Sequence, residues 1–153
     1  MRQIKLRINT MITKLDHSAL RSALTSLSEA ITVVSDAKWF VTQSQAVQNT
    51  LIAGFSQNFE FVYEISVKML RRRLELDAAS PTEVDQDNFK DLLRCAAEKG
   101  LITNVQAWFD YRKMRNTTAH TYDHERAHKV YQGTLAFLAD ATALLQNLEA
   151  RNG

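Results

Sequence analysis

The stretch SQAVQNTLIAGFSQNFEFVYEISVKMLRRRLEL, residues 44–76, decides the fold of this chain. Its apolar residues recur at steps of three and four, which predicts one long helix with a continuous apolar face. The residues on that face are Val47, Leu51, Phe55, Phe59, Val62, Ile65, Met69 and Leu70. Patterned helices of this kind bury their apolar faces against one another, so the stretch predicts a helical bundle.

The segment before this helix divides into an arm and a second helix. Residues 3–8 alternate polar and apolar, which indicates a short extended arm or edge strand. Asp16 can cap a helix whose apolar face continues to about Ser35. We therefore expect an N-terminal arm, residues 1–15, and a bundle domain, residues 16–153.

The segment after the long helix predicts three more helices. Residues 77–87 are polar and hold the sole proline, so they form the principal connection. A short helix over residues 88–99 is ended by Gly100, Asn104 can cap a fourth helix, and Asp123 can cap a fifth that continues to the end. The prediction is an all-α, up-and-down antiparallel bundle of about five helices. A second copy would cover any remaining apolar width, which makes a homodimer.

Composition agrees with long helices and limits the classes of function. The 153 residues suffice for one domain, and the chain has only one proline and four glycines. A net charge of +2 permits contact with RNA without requiring it. Cys95, the single cysteine, lies within an apolar pattern, which predicts a buried, unreactive thiol in a reducing cytoplasm. No charge-free segment is long enough to cross a bilayer, so we expect a cytoplasmic protein without a membrane partner.

The stretch RNTTAHTY, residues 115–122, concentrates the side chains best suited to chemistry. The guanidinium of Arg115 can hold a phosphate bidentately, and the imidazole of His120 can exchange a proton near pH 7. Tyr122 adds a phenol. These residues fall between the fourth and fifth predicted helices. The structural alternative is that Arg115 binds the last carbonyls of its helix, His120 caps a terminus and Tyr122 packs its ring.

Three histidines at four-residue steps, His120, His124 and His128, raise the alternative of a zinc site. Because Asp123 predicts a new helix, His120 falls outside the regular spacing. The sequence offers no acidic or cysteine partner at ligand spacing, so we predict no metal and no cofactor.

Two carboxylates, Glu60 and Glu64, lie one turn apart on the otherwise apolar long helix. Glu64 could form an exposed pair with Lys68 four residues later. The alternative is that Glu60 or Glu64 faces Arg115 across the bundle and fixes the orientation of its guanidinium.

Other charged and aromatic residues have structural explanations. The run Arg71-Arg72-Arg73 can stabilise a helix C-terminus, and contact with a phosphate backbone is the functional alternative. The residues Trp39, Trp108 and Phe109 are predicted to be core rather than base-stacking surfaces.

These motifs resemble the HEPN superfamily, and within it the nucleotidyltransferase substrate-binding proteins related to the HepT toxins. Residues 115–122 resemble the R-x4-H-x-Y signature, which continues into Asp123. The segment QNFEFVYEISVK, residues 57–68, resembles the long-helix segment of the family. The resemblance covers the chain from about Asp16 onward.

The resemblance implies a homodimer that brings two Arg–His motifs together at a cleft. It also implies a metal-independent ribonuclease toxin, with Arg115 and His120 as the catalytic pair. A cognate minimal nucleotidyltransferase would act as antitoxin by transferring AMP to Tyr122. Asn116, with Glu60 and Glu64, would support the site. The alternative within the same family is a non-catalytic subunit that holds a substrate or nucleotide for the nucleotidyltransferase.

Overall fold

The computed structural model describes residues 14–78, 88–117 and 124–152, and gives only the backbone for residues 124–129. Every regular element in these ranges is a helix, which confirms the all-α prediction. The six helices are α1 (Ser18–Ser35), α2 (Ala37–Phe40), α3 (Gln45–Asp77), α4 (Phe89–Glu98), α5 (Val105–Thr117) and α6 (His124–Arg151). None of these helices is both long enough and apolar enough to span a bilayer.

The predicted helix starts are set by short polar side chains. The amide of Asn88 accepts a hydrogen bond from the Asp91 N–H at 3.2 Å, and Asn104 accepts one from the Ala107 N–H at 3.0 Å. At the start of α1, the Asp16 carboxylate accepts from the Ser18 N–H at 2.9 Å, one residue outside the cap position. Each bond satisfies an N–H that the helix itself leaves without a partner.

Gly100 ends α4 as predicted, because it adopts a backbone φ of 76° that other residues rarely tolerate. Its N–H donates to the Ala97 carbonyl at 3.1 Å, and the Leu101 N–H reaches back to the Ala96 carbonyl at 2.9 Å. This pair of bonds is a Schellman motif, which closes the helix and turns the chain toward α5.

The one-turn helix α2 was not predicted, and the burial of its Trp39 was predicted wrongly. Asp36 caps it by accepting from the Trp39 N–H at 3.1 Å. Trp39 is 41% exposed, so the prediction that it belongs to the core is wrong. Trp108 is buried and Phe109 packs against the core, as expected. Cys95 is only partly buried rather than fully buried.

The helix α3 is the centre of the bundle and packs against α1, α4, α5 and α6. Aromatic rings fill the space between α3, α5 and α6. The Phe137 ring contacts Phe59 and Tyr111 edge-on, each with ring centroids 4.9 Å apart, and Trp108 at 6.0 Å. Such contacts add to the burial of large apolar surface. They fix the positions of α3 and α5, which carry Arg115 and its acidic neighbours.

One residue of the arginine run is part of the interior. Arg73 is 2% exposed and donates to Asp77 at 3.2 Å and to the Asn152 amide oxygen at 2.5 Å. The same amide accepts a hydrogen bond from the Leu15 N–H at 3.2 Å and donates one to the Leu15 carbonyl at 2.8 Å. Arg73 is therefore not a candidate for phosphate contact, whereas Arg72 is exposed.

Candidate active site

Arg115 lies in the last turn of α5 and faces two carboxylates of α3. Its guanidinium donates to Glu64 at 2.8 Å, and Glu60 lies 4.0 Å from the other terminal nitrogen. Because Glu60 and Glu64 are one turn apart, both point toward the same part of α5. The structure thus brings these three predicted residues together, in agreement with the interpretation that the carboxylates orient Arg115.

The Arg115 side chain is 35% exposed, so solvent and a ligand can reach it. Its hydrogen bond to Glu64 raises the pKa of the guanidinium further above its already high ordinary value. Arg115 therefore keeps its positive charge at every physiological pH. A charged, planar donor at an accessible helix end can bind a phosphate.

The other half of the predicted site lies outside the described residues. His120, Tyr122 and Asp123 belong to residues 118–123, between the end of α5 and the start of α6. Asn116 is exposed in the last turn of α5. The side chains of His124 and His128 are likewise outside the described part, so both the catalytic pair and the zinc alternative stay predictions.

Two contacts hold α5 against α6 in the turn that precedes Arg115. The Tyr111 hydroxyl donates a hydrogen bond to the Asp140 carboxylate. Burial, together with this bond to an anion, raises the pKa of the Tyr111 phenol well above its ordinary value. One turn later, Met114 occupies the space beside Gly133, where an added Cβ would lie 2.5 Å from its sulfur. The position of Arg115 is thus tied to α6 through the residue that precedes it.

Sequence reasoning missed a second cation beside the site. The Arg112 guanidinium lies over the Phe89 ring of α4, 4.7 Å from its centroid. Burial raises the pKa of the Tyr63 phenol on α3. The positive charges that oppose this rise belong to Arg112, Arg115 and Arg71. The signal available in the sequence was the three-residue spacing of Arg112 and Arg115, which places both on one face of a helix.

A shallow surface hollow lies on α3, lined by Gly54, Gln57, Asn58 and Phe61. Phe61 is 54% exposed although it is large and apolar. It precedes Glu64 by three residues, so it shares the side of α3 that carries the Arg115 partner. An exposed aromatic ring thus lies one turn of α3 before Glu64.

Comparison with known proteins extends this picture. A family model described as nucleotidyltransferase substrate binding protein like matches residues 15–150. A Haemophilus influenzae protein named "probable ribonuclease HepT" is 45% identical over 142 residues, which cover 93% of this chain and 97% of the relative. A solved Haemophilus influenzae structure, described as the fold of a substrate binding domain of a nucleotidyltransferase, matches with a TM-score of 0.83 and 44% identity. That match covers 88% of this chain and 99% of the solved one. With this coverage by both the family model and its relatives, the chain belongs to the nucleotidyltransferase substrate binding protein like family, as the resemblance of residues 57–68 and 115–122 indicated.

Proposed function

We propose that this protein is the toxin of a toxin–antitoxin pair and acts in the cytoplasm as a metal-independent endoribonuclease. The observation that carries the proposal is the accessible Arg115, held by two α3 carboxylates at the edge of the segment that contains His120. The chain is also 45% identical to a protein named probable ribonuclease HepT, which supports RNA cleavage as the reaction.

The proposed reaction needs only side chains of this chain and the RNA itself. His120 accepts the proton of a ribose 2′-hydroxyl as that oxygen attacks the adjacent phosphorus. The bond from phosphorus to the 5′-oxygen breaks, and the leaving oxygen takes up the proton that His120 received, which returns the imidazole to its neutral form. Arg115 stabilises the negative charge that develops on the phosphoryl oxygens. The products are a 2′,3′-cyclic phosphate and a 5′-hydroxyl, and DNA is not cut because it lacks the attacking group.

The antitoxin of this pair is a minimal nucleotidyltransferase that adenylylates Tyr122. The phenol oxygen attacks the α-phosphorus of ATP, pyrophosphate leaves and the phenol proton is released. The attached AMP places an anion two residues from His120, where it competes for Arg115 and blocks RNA. Incubation with the nucleotidyltransferase, ATP and magnesium should add one AMP to Tyr122 by mass spectrometry. Tyr122→Phe should stay unmodified and active.

The active form is a homodimer in which two motifs share a cleft. The exposed Phe61 supports this arrangement, because it leaves a large apolar side chain on the surface of α3 one turn before Glu64. Phe61→Asp should yield a monomer in analytical ultracentrifugation, whereas Phe61→Leu keeps the apolar contact and should stay dimeric. A Phe61→Asp dimer as stable as the wild type would exclude this face as the interface.

The ribonuclease proposal is tested on purified protein with a labelled RNA and excess EDTA. His120→Ala and Arg115→Ala should abolish cleavage, and the wild-type product should carry the cyclic phosphate. His128→Ala removes an imidazole outside the motif and is the matched control, which should cleave normally. Undiminished cleavage by His120→Ala, or complete inhibition by EDTA, would refute the proposed mechanism.

A non-catalytic subunit is the second candidate, because the solved relative is described as a substrate binding domain of a nucleotidyltransferase. In that case Arg115 and His120 bind a phosphate without breaking it. Growth arrest on expression that His120→Ala relieves would favour the toxin. Harmless expression together with nucleotide-dependent binding to the nucleotidyltransferase would favour the subunit.

A further inference from the structure

Arg112 is held in a geometry that suits a second phosphate. Its guanidinium lies over the Phe89 ring at 4.7 Å, and Phe89 is itself held edge-on by Phe109 at 5.8 Å. An aromatic face attracts a guanidinium through its flat side, while the N–H groups lie in the plane and point outward. Within the described residues Arg112 makes no hydrogen bond or ion pair, and its side chain is exposed.

The two arginines of α5 differ in their electrostatic surroundings. Arg115 is hydrogen-bonded to Glu64 and has Glu60 nearby, so its attraction for an approaching anion is partly offset. Arg112 has no carboxylate partner among the described residues, and only the neutral ring of Phe89 supports it. Arg115 is therefore the oriented cation, and Arg112 is the cation whose charge is available to attract a ligand.

The spacing of the two cations fits neighbouring groups of one polyanion. Residues three apart on a helix lie on one face, with Cβ atoms about 5–6 Å apart. Long arginine side chains extend that separation to suit successive phosphates of one strand. The charges of both arginines act on the Tyr63 phenol of α3, so both lie near that helix.

Building on the proposed ribonuclease function, we infer that Arg112 binds the phosphate next to the one that Arg115 holds, and so fixes the RNA strand along α5. Arg112 contributes affinity for the strand, whereas Arg115 acts on the phosphate that is cut. A substrate with only one phosphodiester gains nothing from Arg112. A longer strand gains one charge-assisted contact.

The test compares two substrates that differ in the number of phosphates. For an RNA oligonucleotide of several residues, Arg112→Gln should raise KM roughly tenfold with kcat unchanged, since a phosphate contact is lost in both ground and transition states. For a dinucleoside monophosphate, which has only the scissile phosphate, the same variant should match the wild type. For the oligonucleotide, a plot of log affinity against log salt has a negative slope, and Arg112→Gln should make that slope less steep by about one.

Matched variants separate phosphate binding from structural roles. Arg94→Gln removes an exposed arginine from α4 and should change neither KM nor the salt slope. Phe89→Leu keeps an apolar support for Arg112 but removes the aromatic face. It should weaken binding of the oligonucleotide and leave binding of the dinucleoside monophosphate unchanged. An equal loss on both substrates, or no loss on either, would overturn the inference.

Binding of a 2′-O-methyl oligonucleotide, followed by fluorescence anisotropy, keeps this test independent of catalysis. The probe retains every phosphate but lacks the attacking hydroxyl. Weaker binding by Arg112→Gln than by Arg94→Gln supports the subsite even if no RNA is ever cut, in which case only the ribonuclease proposal fails. Equal binding by the two variants rejects the subsite even if cleavage is observed.

Discussion

Replacing Glu64 by glutamine tests whether a carboxylate of α3 orients Arg115. The substitution keeps the size of the side chain and removes its charge. It weakens the 2.8 Å hydrogen bond that the guanidinium donates, and it leaves Glu60, 4.0 Å away, as the remaining carboxylate. The variant therefore reports the contribution of orientation rather than the loss of the cation.

The expected effect on stability is small. The side chains of Arg115 and Glu64 are 35% and 55% exposed, so water screens their attraction. An exposed pair of this kind contributes about 0.2–1 kcal/mol to the free energy of unfolding. For a chain of this size, the melting temperature should fall by no more than about 4 °C.

The effect on RNA cleavage should be larger than this change in stability can explain. A less firmly oriented guanidinium should lose roughly 1 kcal/mol of transition-state stabilisation, which is about a fivefold fall in kcat. Single-turnover cleavage at a temperature well below melting measures it. Glu29→Gln removes an exposed carboxylate from α1 and should leave kcat unchanged. An unchanged or faster Glu64→Gln would refute the reasoning, since a faster enzyme would mean that Glu64 competes with the phosphate for Arg115.

Three further predictions concern the bundle itself. Tyr111→Phe removes a buried donor to an α6 carboxylate and should cost about 1.5–3 kcal/mol in urea unfolding, whereas Tyr131→Phe, whose hydroxyl lies on the exterior, should cost less than about 1 kcal/mol. Similar losses in both variants would contradict this. Burial and the nearby Arg73 lower the pKa of His17 below its ordinary 6.5. The unfolded chain therefore binds the proton of His17 more readily than the folded chain does. Above about pH 6.5 His17 costs no stability, and the free energy of unfolding declines as the pH falls from there through the lowered pKa. His17→Gln should flatten this part of the pH profile, and an unchanged slope would exclude His17 as its source. Asn152→Ala removes an amide shared by the backbone of residue 15 and the buried Arg73, so denaturation should show a loss of about 1–3 kcal/mol. A denaturation midpoint of Asn152→Ala equal to that of the wild type would contradict this prediction, and would mean that the remaining partners of Arg73 compensate for the lost amide.

The helices and their ends could be predicted because the signals are local. Asn88, Asn104 and Gly100 act on groups within four residues of themselves, so their effects depend little on the rest of the chain. The helix α2 escaped prediction because a single turn is too short to show a helical period. Trp39 was assigned to the core by residue type alone, which does not determine burial.

The candidate site was predicted in part for the same reason. The contact of Arg115 with Glu64 follows once α3 and α5 pack together, and the sequence supplied both the charges and the helices. The burial of Arg73 did not follow, because its amide partner lies 79 residues away and nothing in the local spacing indicates it. The stacking of Arg112 on Phe89 likewise depends on how α4 and α5 cross.

The absence of a side chain at position 133 limits how the bundle can be engineered. Alanine is ordinarily better than glycine in a helix interior by about 1 kcal/mol, so a propensity-based design would choose Gly133→Ala. The new Cβ would lie 2.5 Å from the Met114 sulfur, so this flexible thioether, one residue before Arg115, would have to move. Optimising helix propensity alone at position 133 would therefore disturb the packing of α6 against α5, next to the residue that precedes Arg115.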